Sequence, residues 1–333
     1  MTGSPTRRRF IGISAAAAGL AVMPLVARGS SRPAGELVTW HGQALGAVCS
    51  MQIHHTDRGE AERLIRQVVQ EVRRLERMFS LYDETSDLSR LNRTGFAAAP
   101  PPEFVELLTR AQEFSRLTAG AFDVTVQPLW ALYLNHFARE GADPTGPSPE
   151  RVRAAVDLVG HDKLLVGPDR ISLSRGSAVT LNGIAQGYVT DKVVDLLRAE
   201  GVDHSLVDMG ETRALGAHPE GRPWEAAVAD PDEPNRAAAV LPVVDRALAT
   251  SGPYGFRFDS QGRFNHLFAP ASGQCAQSWA SASVIAPTAT AADALSTACC
   301  VMTEPQIRAL AQAGAAELVL LIGNDGRQTR IAA

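Results

Sequence analysis

Residues 60–79 set Ala61, Leu64, Ile65, Val68, Val69, Val72, Leu75 and Phe79 at the i, i+3, i+4, i+7 rhythm of one long helical face. A stripe of that length has to be covered by a neighbouring layer. Just before it, residues 36–53 alternate as a strand does, with Leu37, Val38, Trp40, Val48, Met51 and Ile53. Three prolines, Pro100–Pro102, introduce a second helix near 103–117, and further helices are expected at 149–158, 187–200, 290–302 and 307–313. Short strands are expected at 163–166, 170–174, 204–208, 225–229, 239–244 and 280–286. A hairpin about Asn324-Asp325-Gly326 joins strands 318–322 and 328–332. Strands and helices mix without βαβ alternation, which predicts an α+β fold of mixed sheets and packed helices. No repeat or low-complexity linker divides the chain, so residues 35–333 read as a single domain. Hydrophobic residues at 45 % against 20 % charged can fill its core.

Residues 1–34 read as an export signal and flexible start. Thr6-Arg7-Arg8-Arg9-Phe10-Ile11 fits the twin-arginine pattern, and the apolar run from Ile13 to Val26 is short and interrupted by Gly19 and Pro24. The expected location is the periplasm, reached through the twin-arginine translocation machinery. Lys plus Arg (32) falls short of Asp plus Glu (36), so charge offers no reason to bind nucleic acid. Cys49, Cys275, Cys299 and Cys300 have no C-x-x-C spacing, which argues against a zinc or redox motif. They read as buried apolar residues, with a Cys49–Cys275 bridge left open.

Four short segments carry candidate chemistry. Residues 78–92 end a helix in a polar turn containing Tyr82. Residues 120–130 set Gly120, Ala121, Phe122 and Asp123 together, where backbone N–H groups beside the glycine can approach a ligand. A helix cap followed by a buried strand suits these residues equally. Thr180-Leu181-Asn182-Gly183-Ile184-Ala185-Gln186-Gly187-Tyr188 opens a helix with a glycine turn, a place where amides meet an anion. It lacks both the Walker and the G-x-G-x-x-G pattern, and a tight turn without ligand is an equal reading. In residues 288–297, Thr290, Asp293 and Thr297 share one helix face and supply the hard oxygens Mg2+ prefers. A capped helix would use the same residues. Among eight histidines, His266 differs in lying between a short strand and a Pro/Gly turn, with Thr250-Ser251-Gly252 shortly upstream.

Taken in order, Gly120–Asp123, Leu181–Tyr188, Thr250–Gly252, His266–Gly273 and Ala292–Thr297 resemble the FAD:protein FMN transferase (ApbE) family over residues 38–325. The resemblance implies a periplasmic enzyme that binds FAD with Mg2+. It would move FMN to a threonine or serine hydroxyl of an exported acceptor flavoprotein and release AMP. It places flavin contacts at Leu45, Tyr82, Ala121, Phe122, Asp123, Thr180, Gln186 and Leu267. It places Mg2+ at Gly183, Asp293 and Thr297 with Thr290 adjacent, and gives His266 and Asp293 catalytic roles. The chain departs from the family pattern at Leu45, Thr180, Gln186 and Ala269, and in Asp208-Met209-Gly210-Glu211. Leu-Asn-Gly-Ile-Ala-Gln-Gly is most similar to the branch that accompanies nitrous oxide reductase, the NosX type. FAD hydrolysis by water and non-catalytic flavin binding for a periplasmic reductase are the alternatives. A histidine with its ordinary pKa near ~6.5 would accept the hydroxyl proton and lose that capacity in acid.

Overall fold

The structure is a computed structural model that describes residues 35–233 and 235–333. The export signal assigned to residues 1–34 lies outside the described residues. The alternating stretch at the start is a hairpin of β1 (Glu36–Ala44) and β2 (Ala47–His55). It turns at Leu45 and Gly46, with φ of 50° and 77°, the left-handed pair that a two-residue hairpin needs. Asp57 then caps α1 (Arg58–Phe79), its side chain accepting the N–H groups of Gly59 and Glu60. α1 buries Leu64, Ile65, Val68, Val72, Leu75 and Phe79 of the expected stripe. Each such side chain, fully buried, contributes roughly 1.5–3 kcal/mol.

The chain continues through α2 (Asp87–Thr94), β3 (Phe96–Ala98), α3 (Pro102–Leu117), α4 (Gln127–Phe137) and α5 (Pro149–Val156). Next come β4 (Leu164–Val166), β5 (Arg170–Leu173), α6 (Ala185–Ala199), β6 (Ser205–Asp208) and β7 (Thr212–Leu215). They are followed by β8 (Trp224–Ala229), β9 (Ala237–Val243), β10 (Ala247–Ser251) and β11 (Ser281–Ala286). α7 (Ala289–Cys299), α8 (Glu304–Gln312), β12 (Leu318–Ile322) and β13 (Gln328–Ala332) complete it.

Eight strands form one sheet in the order β1-β2-β6-β7-β10-β11-β12-β13, each antiparallel to its neighbours. Alternation divides its two faces. Ala247 and Ala249 of β10 and Val284 of β11 enter the main core with α1, α6, α7 and α8. Leu248, Ile285 and Leu320 point the other way, onto Trp224, Val228 and Leu241 of the β8–β9 hairpin. A separate aromatic cluster joins α4 and α5 to the segment around His266, with Tyr133 against Phe258, Phe264 and Phe268 at 5.2–5.8 Å between ring centroids. The architecture is α+β in one domain, with packed helices and three sheets in which every strand pair is antiparallel, where the sequence suggested mixed sheets.

Candidate active site

The glycine turn that opens α6 lies directly against α7. A Cβ at Gly183 would stand 2.8 Å from Thr297 Oγ1, and one at Gly187 would stand 2.2 Å from the carbonyl oxygen of Ala289. Only glycine permits so close an approach. Asp293, 2 % exposed, spans the contact, and its Oδ2 accepts the Gly187 N–H at 3.0 Å. Gly183, Asp293 and Thr297 therefore come together from segments over a hundred residues apart. Ser251, the last residue of β10, joins them: its Oγ lies 3.3 Å from Thr297 Oγ1 and 2.8 Å from Ser296 Oγ. Thr290 faces elsewhere, its hydroxyl donating to Asp191 Oδ2 at 2.5 Å.

The surroundings of Asp293 hold more acid than they pair. Burial pushes its carboxyl pKa up, the Gly187 N–H pulls it back, and the charge of Asp191 pushes it up again. Glu211, in the turn between β6 and β7, is also buried. Its pKa is raised by burial and then by the charges of Asp293 and Asp208, against a backbone hydrogen bond from Thr250. Burial lifts Asp208 to about 6, opposed by the Gly210 N–H and the Thr212 hydroxyl. Among the described residues, no Lys or Arg is paired with any of the three.

The expected flavin residues approach this centre from several sides. Leu45 donates its N–H to Glu76 Oε1 at 3.0 Å, and its carbonyl accepts from Gln186 Nε2 at 3.5 Å. Gln186 lies over Gly210, where a Cβ would stand 2.6 Å from Nε2. Tyr82 is 57 % exposed and hydrogen-bonds with Asn182, beside Gly183. The Asn182 N–H donates to Thr180 Oγ1 at 3.3 Å, and the Thr180 N–H donates to the Val124 carbonyl at 2.8 Å. The 123–125 and 180–183 segments are thereby joined.

Asp123 is committed to the fold. Its Oδ1 accepts the N–H and hydroxyl of Thr125 at 2.8 and 2.6 Å, and its Oδ2 lies 3.9 Å from His161 Nδ1. Burial raises its pKa against these partners. The amides expected to be open beside Gly120 are used as well. Gly120, Ala121 and Phe122 donate to Ser115 O, Thr118 O and Thr118 Oγ1 at 2.7, 3.1 and 3.0 Å. They finish α3, where Gly120 at φ 83° reverses the chain. The Phe122 ring packs edge-on against Phe114.

His266 is half-buried in a loop pinned by Asn265, whose amide donates to Ala276 O at 2.8 Å and accepts the Leu267 N–H at 3.1 Å. Leu267 is buried in the main core. His266 Nδ1 lies 3.2 Å from the carbonyl oxygen of Phe256. Burial lowers the imidazole pKa to about 4, only partly offset by that carbonyl. The shift runs downward from the ordinary value because desolvation disfavours the imidazolium more than one carbonyl restores it. Among the described residues, no hydrogen bond links His266 to Asp293.

A sequence profile described as the ApbE family matches residues 45–320. The chain belongs to the ApbE family. It is 32 % identical over 259 residues to a Haemophilus influenzae protein named FAD:protein FMN transferase, an alignment covering 74 % of each chain. Its structure resembles the ApbE protein of Thermotoga maritima, with a TM-score of 0.77 at 27 % identity, covering 89 % of this chain and 97 % of the other. It also resembles the flavinyl transferase ApbE of Pseudomonas stutzeri, with a TM-score of 0.74 at 28 % identity, covering 91 % and 97 %.

Between α6 and α7 this ApbE chain offers one carboxylate, two hydroxyls and the Gly183 backbone. Among the described residues, no three His, Cys, Asp or Glu side chains gather as a metal cage. Mg2+ does not require one, since it commonly takes one or two carboxylates and completes its shell with water and substrate phosphate. The donors are hard oxygens, and among the described residues Asp208, Glu211 and Asp293 have no Lys or Arg partner. The residues present fit the ion. Sequence reasoning assigns no role to Ser251, which stands in a segment that carries the resemblance, or to Glu211, which stands in a run that departs from the family pattern. Asp191 shows in the sequence only as a polar residue of a helix, because its partners on α7 lie almost a hundred positions away.

Proposed function

We propose that this chain is a Mg2+-dependent FAD:protein FMN transferase acting in the periplasm. The observation that carries the reading is the meeting of Asp293, Thr297, Ser251 and the Gly183 turn. It stands within a chain of the ApbE family whose relatives are named for this reaction. The hydroxyl oxygen of an acceptor threonine or serine attacks the phosphorus of the FMN half of FAD. The pyrophosphate P–O bond breaks, AMP leaves with the bonding pair, and FMN stays as a phosphoester on the acceptor. His266 Nε2 takes the hydroxyl proton. With Nδ1–H engaged by Phe256 O, the neutral ring presents its lone pair at Nε2, and its low pKa keeps it neutral. Asp293, Thr297, Ser251 and the Gly183 backbone would hold Mg2+, which supplies charge neutralisation at the phosphate oxygens. Gln186 and the Leu45 turn, held by Glu76, wall one side, and Tyr82 offers a ring at the open edge.

Export through the twin-arginine route rests on Thr6–Ile11. The acceptor is then another exported protein carrying a threonine or serine flavinylation site. Chromatography of FAD incubated with Mg2+ and the enzyme, with and without an acceptor domain, tests the reaction type. Transfer makes AMP formation depend on the acceptor. AMP and free FMN formed equally without acceptor would make the chain a hydrolase.

A further inference from the structure

We propose that Asp191, with Arg213 as its counter-ion, is a positioning residue for the Asp293 carboxylate. This inference rests on the reading of Asp293 as a cation ligand. Asp191 sits on the second turn of α6 and is 7 % exposed. Its Oδ1 accepts the Ala289 N–H at 2.8 Å and Arg213 Nη1 at 2.6 Å. Its Oδ2 accepts the N–H and the hydroxyl of Thr290 at 2.9 and 2.5 Å. Four donors use all the lone-pair sites of one carboxylate. Two of them are first-turn amides of α7, which no carbonyl within that helix can satisfy. Thr288, the residue before α7, accepts the Ala291 N–H with its hydroxyl and the Ala292 N–H with its carbonyl, which leaves the Ala289 and Thr290 N–H groups to Asp191.

The exchange is reciprocal. Asp191 of α6 closes the start of α7, and Asp293 of α7 accepts the Gly187 N–H at the start of α6. Gly187 lets the helices touch, since its missing Cβ would fall 2.2 Å from Ala289 O and 2.8 Å from Asp293 Cβ. Asp293 lies one turn beyond Ala289, so fixing Ala289 and Thr290 fixes where its carboxylate stands relative to Thr297 and Gly183. Arg213, on β7, neutralises Asp191 and contacts neither Asp293 nor Thr297 by hydrogen bond or ion pair. The arrangement is an anchored carboxylate behind a working one, and changing such an outer partner typically costs about 10–100-fold in metal affinity.

The test compares the wild type with Asp191→Asn, Thr290→Val and Asp293→Asn. Mn2+, an oxygen-preferring stand-in for Mg2+, is titrated into each protein in the presence of FAD and followed by electron paramagnetic resonance, with thermal unfolding alongside. The Asp191→Asn change keeps the shape of the side chain but replaces one acceptor oxygen by an NH2 group facing donors. Asp191→Asn should weaken Mn2+ binding by about 10-fold or more and raise the Mg2+ concentration for half-maximal transfer in step. Saturating Mg2+ should restore most of the rate. Thr290→Val removes one donor of the four and should shift Mn2+ affinity the same way by a smaller factor, so the inference stays testable if Asp191→Asn does not fold. A lowered melting temperature with unchanged Mn2+ affinity in a folded variant would make Asp191 a structural anchor only and overturn the inference. Wild-type protein whose Mn2+ binding is indifferent to Asp293→Asn would overturn the cation-site reading itself, and this inference with it.

Discussion

His266 Nδ1 lies 3.2 Å from the Phe256 carbonyl oxygen, so in the neutral ring Nδ1 carries the hydrogen and Nε2 the lone pair. The contact orients the imidazole without charging it. The His266→Ala protein should lose FMN transfer by about 10²–10⁴-fold, the usual cost of a general base, while FAD affinity stays close to wild type. In the wild type the acid limb of the rate should lie near the lowered pKa of about 4 rather than 6.5. A pH–rate profile of both proteins checks this, and a limb centred above pH 6 would mean that another group takes the proton.

The same shift has a sign for stability. The unfolded chain binds the His266 proton at 6.5 and the folded chain only near 4, so acid favours unfolding across that interval. Above pH 6.5 His266 has no effect on the pH dependence. Urea midpoints at pH 4.5 and 7 should therefore differ less in His266→Ala than in the wild type. An equal difference would place the acid sensitivity elsewhere.

Gly187→Ala should break the α6–α7 contact. The new Cβ would meet the Ala289 backbone at 2.2 Å, which no side-chain rotation can relieve. Overpacking of this kind costs typically about 1–3 kcal/mol or more, read as a lowered urea midpoint, and it should also weaken the Mg2+ dependence of transfer. A variant of wild-type stability and metal response would mean that the helices can separate freely.

Asp293→Ala should abolish Mg2+-dependent transfer in a protein that still folds. The loss orphans the Gly187 N–H, at about 1–3 kcal/mol, while removing a carboxylate that was costly to bury. The opposing effects should leave the melting temperature nearly unchanged by calorimetry. Normal turnover in this variant would move the metal to another group.

Cys49, Cys275, Cys299 and Cys300 are all free, which closes the question of a Cys49–Cys275 bridge. Burial pushes the Cys49, Cys275 and Cys299 thiols up to about 12 and raises Cys300 as well. Thiol reagents at neutral pH should label the native protein slowly and the unfolded protein at all four positions. Reductant should leave the melting temperature unchanged, and a shift would point to a disulfide.

Where local pattern decides structure, the sequence is readable. The stripe from Ala61 to Phe79 is α1, and strands 318–322 and 328–332 are β12 and β13 at their expected bounds. α4 escapes sequence reading because its apolar residues surround it rather than forming a stripe, and its first residues end the 120–130 stretch that reads as well as a helix cap followed by a buried strand. α2 is only eight residues long and polar at most positions, and in the sequence it reads as a turn. In the site, the i, i+4 pair Asp293 and Thr297 is visible because both stand on one helix. The bonds from Asp191 to Ala289 and Thr290, and the field of Asp208 and Glu211, arise from the order of strands in the sheet. Nothing in the local sequence announces that β7 lies beside β10.

The central claim is transfer of FMN to protein, and intact mass spectrometry of the acceptor reads it directly. The enzyme is incubated with FAD, Mg2+ and the acceptor domain of an exported flavoprotein. The acceptor should gain the mass of one FMN less one water, with one AMP released for each. The gain should vanish when the acceptor hydroxyl residue is replaced by alanine or Mg2+ is chelated. An acceptor of unchanged mass beside accumulating FMN and AMP would contradict it.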